Sequence, residues 1–232
     1  LDRLIAKKRA VKQAAMQQLL TGKTRLPGFA EEWEEATLGE IGAFSKGTGI
    51  SRNEVVSEGL PCIRYGEIYT HHDDVIRTFY SFISDDTASR SVRLKRGDLL
   101  FAGSGETREE IGKCVGFDLD VEAYAGGDTV ILSQNDHDVR FLGYLLNTPE
   151  ISVQKAQMGQ GDAVVHISVR SLAQVAIQLP PFPEQRAIAA VLSDVDDEIA
   201  ALEKRRDKTR RIKEGMMQQL LTGRVRLVTP TA

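Results

Sequence analysis

The chain has 232 residues, 41% of them hydrophobic and 27% charged, with a formal net charge of -3. That is enough chain to bury a core as one or two domains, with a globular balance of residues. It excludes a membrane-spanning helix, because no apolar run approaches the ~18 residues one needs, and no signal peptide is visible. Leu1 is not a start residue, so the chain is expected to be a fragment or a processed piece.

Residues 1 to about 20 are predicted helical: Leu1, Leu4, Ile5, Val11, Ala15 and Leu19 recur at helical spacings, and Gly22 and Pro27 mark the stop. Residues 28–178 change texture, with short apolar runs alternating with turn signals. Strands are expected within Thr37–Phe44, Pro61–Tyr69, Asp98–Phe101, Gly112–Phe117, Thr129–Leu132 and Val175–Leu179. Helices are expected at Val139–Leu146 and Pro149–Met158. Leu179-Pro180-Pro181-Phe182-Pro183 is an extended lead into a second helix, from 184 to about 221, ended by Gly223. Such a helix spans roughly 57 Å. Its apolar stripe of Ile188, Val191, Leu192, Val195, Ile199 and Leu202 is narrow, so it wants a partner helix, as in a coiled coil. The insert reads as mostly β or α+β, and the fold class expected is α+β: a globular domain at 26–179, flanked by a helix at 1–25 and a long helix at 180–232 that, if they pair as a coiled coil, pair antiparallel.

The two ends of the chain repeat. Met16-Gln17-Gln18-Leu19-Leu20-Thr21-Gly22 returns as Met217-Gln218-Gln219-Leu220-Leu221-Thr222-Gly223, and Arg25-Leu26 as Arg226-Leu227. The chain is one period of helix, insert, helix, ending where a second insert would begin. Charge follows the repeat. Residues 1–25 carry seven Lys/Arg against one Asp, residues 203–226 carry nine against three acids, and the remainder sums to -15. Basic helices call for a polyanion or an acidic partner.

Few residues support catalysis. Asp98-Leu99-Leu100-Phe101-Ala102-Gly103-Ser104-Gly105 and Leu179-Pro180-Pro181-Phe182 look like the cofactor loop and the Pro-Pro-aromatic motif of amino-methyltransferases. The second motif needs a side-chain acceptor at its first position, and Leu179 has none. No run of βαβ units surrounds the glycines. His71, His72, His137 and His166 lack metal-ligand spacing, with His71-His72-Asp73-Asp74 expected as a solvated turn. No Walker A sequence is present. Cys62 and Cys114 are expected as buried small hydrophobes in a reducing cytoplasm, and Trp33 as a plug at the start of the domain. Nucleic-acid contact is better supported. Lys46 and Thr48, Arg64 and Tyr65, and Ser104, Thr107 and Arg108 lie in Gly-containing polar loops, with Lys113 shortly after and Gln160 and His166 flanking a further turn. Such loops mix phosphate donors with side chains able to read base edges.

Leu179-Pro180-Pro181-Phe182-Pro183-Glu184-Gln185-Arg186-Ala187-Ile188-Ala189, the helix after it and the terminal Met217–Gly223 resemble the specificity subunits of type I restriction–modification systems. Thr37-Leu38-Gly39-Glu40-Ile41 and Arg96-Gly97-Asp98-Leu99-Leu100 are similar to the opening and interior of that family's target recognition domains. The resemblance covers essentially the whole chain. It implies a non-catalytic, cytoplasmic prokaryotic subunit whose recognition domain reads one half of a split double-stranded DNA site. It also implies helices that fix the gap and dock methyltransferase subunits, with motor-nuclease subunits joining. S-adenosylmethionine, ATP and Mg belong on those partners, not on this chain. The interface positions expected are Leu4, Val11, Leu19, Ile188, Val191, Val195, Ile199, Leu202, Met217 and Leu220. The second recognition half is expected in the same polypeptide, or from head-to-tail homodimerisation. Starting at Leu1, inside a helix, favours the C-terminal half of a larger subunit. Two other readings remain from the residues alone: an adenine methyltransferase, and a coiled-coil scaffold whose acidic insert binds protein.

Overall fold

The structure, a computed structural model, describes residues 1–161 and 164–222. The second repeat's Gly223 and Arg226-Leu227 lie outside them. In chain order, α1 (Asp2–Leu19) is followed by β1 (Glu34–Thr37), α2 (Leu38–Ile41), β2 (Ala43–Lys46), β3 (Val55–Val56), β4 (Leu60–Ile63) and α3 (Tyr65–Thr70). Next come β5 (Ser81–Ile83), α4 (Asp85–Ser89), β6 (Val92–Arg93), β7 (Leu99–Ala102), β8 (Ser104–Gly105), β9 (Cys114–Gly116), β10 (Tyr124–Ala125) and β11 (Thr129–Ser133). The chain closes with α5 (Val139–Leu145), α6 (Pro149–Met158), β12 (Val165–His166), α7 (Val169–Ala173), β13 (Ala176–Leu179) and α8 (Phe182–Leu221).

The chain divides into two compact units, Met16–Ala190 and the pairing of Leu1–Ala15 with the described residues from Val191 onward. In the globular unit, one sheet has the order β3-β5-β4-β10-β6 and another β2-β11-β7-β9. Pairings are antiparallel except β4 with β10. Their shared core takes Ile63 and Ala125 from the first sheet and Leu100, Val115 and Ile131 from the second, all essentially inaccessible. β1 and β13 pair separately, Glu34 opposite Leu179, so the two ends of the insert close on each other.

Two expected strands are interrupted by helical turns. Thr37–Phe44 contains α2, because the Glu40 carboxylate accepts from the Thr37 N–H at 2.7 Å and its hydroxyl at 2.9 Å. Pro61–Tyr69 breaks after Ile63, where Glu67 accepts from the Arg64 side chain at 3.1 Å and α3 begins. Both are Ncap-x-x-Glu arrangements that satisfy free N–H groups at a helix start. Asp98–Ala102 departs in topology from the methyltransferase loop it resembles in sequence. β7 lies between antiparallel neighbours, and Gly103 leads into β8 instead of a helix.

In the helical unit, ion pairs join Lys12 to Asp196 and Lys8 to Glu198 at 2.7 Å each, Arg9 to Glu203, and Asp2 to Arg206 at 4.0 Å. Position falls along the first helix as it rises along the second, so the pairing is antiparallel. Part of the basic charge of α1 is thus matched by acids of α8 that precede its basic half. Ile5 and Ile199 are buried on this seam, with Val195 and Leu202 half-buried. Leu4, Val11, Val191 and Met217 stand exposed, Leu220 is half-buried, and Leu19 and Ile188 are buried in the globular unit. Within the chain, therefore, Ile5 carries the apolar contact of α1 on this seam, while Lys8 and Lys12 supply ion pairs. No described helix is long and apolar enough to cross a membrane.

Candidate nucleic-acid interface

Loops that are far apart in sequence meet at one end of the β2-β11-β7 sheet. Register places Val130 opposite Lys46 and Thr129 opposite Ala102. Past those pairs the backbone continues to bond: Gly47 N–H donates to Thr129 O at 2.8 Å, and Gly103 N–H to Asp128 O at 2.8 Å. Gly126 N–H donates to Ile63 O at 2.9 Å and Gly127 N–H to Gly49 O at 3.0 Å. The turn Gly126-Gly127-Asp128 therefore gathers the loops of Lys46–Thr48, Arg64–Tyr65 and Ser104 around itself. Glycine is required where these loops touch, since a Cβ on Gly47 would sit 2.0 Å from Gly126 O.

The backbone at this hub is strained. Asp128 has φ +56°, and Ile50, buried beside Gly49, has φ +58°. A β-branched residue in the left-handed region is an outlier, held there by its surroundings.

The side chains divide by what they already do. Lys46 is exposed and has no ion pair or hydrogen bond among the described residues, and Tyr65 is exposed. Thr107 is exposed in the following loop. Thr48 donates to Arg90 O at 3.1 Å, and Arg64 is paired with the nearly buried Glu67 at 3.1 Å. Ser104 and His166 face each other across β8 and β12, Oγ to Nδ1 at 2.8 Å, with Gln160 bridged to His166. Arg108 donates to Gly159 O at 2.9 Å and Gly161 O at 3.2 Å, holding that loop down. The structure thus unites Ser104, Arg108, Gln160 and His166. Lys113 is turned away, donating to His72 O at 2.6 Å, with burial lowering its pKa. Unlike Lys46, it already has a partner within the domain.

Other expectations resolve locally. His71 is exposed and stacks on Tyr80 at 4.4 Å, but His72 is buried, so the pair is not a solvated turn, and burial lowers the His72 pKa. Cys62 and Cys114 are buried free thiols, each pushed up to about 12 by burial. Trp33 packs edge-on to Phe141 at 6.5 Å, with Arg25 over its face at 5.6 Å.

The missed residues are Gly126, Gly127 and Asp128. A Gly-Gly-Asp run between apolar segments signals a tight turn. That this turn is the meeting point of the other loops depends on pairings across the sheet.

Together these features define an α+β globular unit with one rim built from converging polar loops, and, separately, a unit of two antiparallel helices. The chain belongs to the type I restriction modification DNA specificity domain family, whose model matches residues 30–210. It is similar to the type I restriction enzyme MjaVIII specificity subunit of Methanocaldococcus jannaschii, 24% identical over 210 residues, covering 88% of this chain and 49% of the relative. A putative MjaX specificity subunit of the same organism is 26% identical over 204 residues, covering 86% and 48%. The chain therefore spans about half the length of the curated relatives it matches. In fold, it is similar to the type I S subunit from M. genitalium (TM-score 0.66, 15% identity, covering 94% of this chain and 55% of that one). The HsdS subunit from Thermoanaerobacter tengcongensis is also similar (TM-score 0.57, 18% identity, covering 94% and 51%).

Proposed function

We propose that this chain is one recognition half of a type I restriction–modification specificity subunit and is itself non-catalytic. The globular unit reads one half of a bipartite site in double-stranded DNA. The single observation that carries this reading is the convergence of the Lys46–Thr48, Arg64–Tyr65 and Ser104 loops on Gly126–Asp128. It forms one rim holding a cation with no partner among the described residues, hydroxyls and an imidazole, the mixture that phosphate positioning and base reading require. The helices set the spacing to a second recognition half and dock methyltransferase subunits, which motor-nuclease subunits join. S-adenosylmethionine, ATP and Mg act on those partners. The second half comes from the same polypeptide or from another copy of this chain. The complex works in the cytoplasm of a prokaryote.

Half-site spacing follows protein geometry. Duplicating Leu220-Leu221-Thr222-Gly223 in the full subunit should widen the gap between half-sites and leave both half-sites unchanged. Recognised bases that change while the gap stays fixed would refute the spacing role.

A further inference from the structure

Asp128 is the residue at the centre of the rim. It lies between the loop after Lys46 and the loop after Ala102, pinned by the bonds from Gly47 to Thr129 and from Gly103 to its own carbonyl. It is exposed, and its carboxylate has neither a hydrogen bond nor an ion pair among the described residues. A φ of +56° explains why a short polar residue stands here, because Asp and Asn tolerate the left-handed region. It does not explain the charge, for which Asn would serve as well. A partnerless carboxylate on a face that binds phosphates is repelled by them, unless it meets a donor in the groove. The donor a carboxylate fits is the exocyclic amino group of cytosine. Adenine also offers an amino group, but its N7 acceptor lies beside it and opposes a second carboxylate oxygen.

We propose that Asp128 is a specificity-determining residue whose carboxylate accepts a hydrogen bond from the N4 amino group of a cytosine in the half-site. This rests on the reading of the chain as a recognition half. The turn, with a bond on each side, holds the carboxylate in place to select one base.

The test is sequence enrichment from randomised double-stranded DNA by the full subunit assembled with its methyltransferase partners, comparing wild type with Asp128→Asn and Asp128→Gly. Both substitutes adopt a positive φ, so the turn survives, and thermal melting verifies it. Wild type should require cytosine at one position on one strand. Asp128→Asn should lose that requirement by about tenfold to a hundredfold, or shift it to adenine, which an amide fits. Asp128→Gly should relax the same position only. An unchanged preference in both variants, or uniformly tighter binding to all sequences, would overturn the assignment. So would a loss of all specific binding from an assembled complex, since one base contact governs one position. A wild-type complex with no sequence preference would instead refute the recognition function itself.

Discussion

Arg25 and Glu184 form a bidentate ion pair, Nε and a terminal nitrogen each 2.6 Å from a carboxylate oxygen, with the Glu184 side chain wholly buried. Arg25 follows the first repeat copy, and Glu184 belongs to the Pro-Pro-x-x-Glu-Gln segment that opens α8. Its neighbour Gln185 is also buried, donating to Pro180 O at 2.8 Å and accepting from Asp138 N–H at 3.0 Å. The two segments that looked most diagnostic in sequence thus secure the base of the globular unit.

Removing Arg25 strands a buried carboxylate, which is more damaging than losing an exposed pair. Arg25→Ala should lower the melting temperature by roughly 5 °C or more, while Arg9→Ala at the exposed Glu203 pair leaves it nearly unchanged. Replacing both partners by leucine should recover part of the loss. Equal effects of the two single variants, measured by thermal denaturation, would contradict this role.

Lys155 is buried in the globular unit, donating to Gly112 O and Leu146 O at 2.7 Å each, and burial lowers its pKa to about 8. The unfolded chain keeps this proton to about pH 10.4, whereas the folded chain releases it near 8. Between those values the unfolded state binds more protons, so the lysine's contribution rises with pH. The stability difference between wild type and Lys155→Met should be flat below pH 8, then shift toward wild type by up to about 1.4 kcal/mol per pH unit. Urea melts from pH 7 to 10 give this difference. The neighbouring Cys114 thiol, pushed up to about 12, stays protonated in the folded state throughout. A difference independent of pH would contradict the assignment.

Lys46 and Arg108 looked alike in sequence but differ in structure. Lys46, with no partner among the described residues, is suited to a phosphate. Lys46→Ala should weaken binding evenly across sequences and reduce the salt slope by about one. Arg108 instead anchors the Gly159–Gly161 loop beside Gln160 and His166. Arg108→Ala should raise amide exchange at His166 and blur selectivity. Titrations at several salt concentrations, with hydrogen exchange, separate the two. A salt-slope change for Arg108→Ala with unaltered His166 exchange would reverse the assignment.

The long helices were legible because a periodic stripe and terminal Gly and Pro signals are local. α6 begins and ends where Pro149 and Met158 indicated. The turns at Thr37–Glu40 and Arg64–Glu67 were written locally too, but apolar neighbours masked them as strands. The rim was legible only in pieces. Gly127 bonding to Gly49, and Gly103 to Asp128, depend on strand order, which periodicity does not encode. Within the chain, the seam between α1 and α8 was not legible at Leu4 and Val11, because ion pairs to Asp196, Glu198 and Glu203 fix how α1 meets α8, and an apolar stripe does not encode them.

Base selection is the role proposed for the globular unit. The most direct measurement is methylome sequencing of a host in which residues 26–179 replace the corresponding domain of a type I specificity subunit of known target. One half-site should change, while the other half-site and the gap between them stay as before. A methylation pattern identical to that of the unmodified subunit would contradict the account.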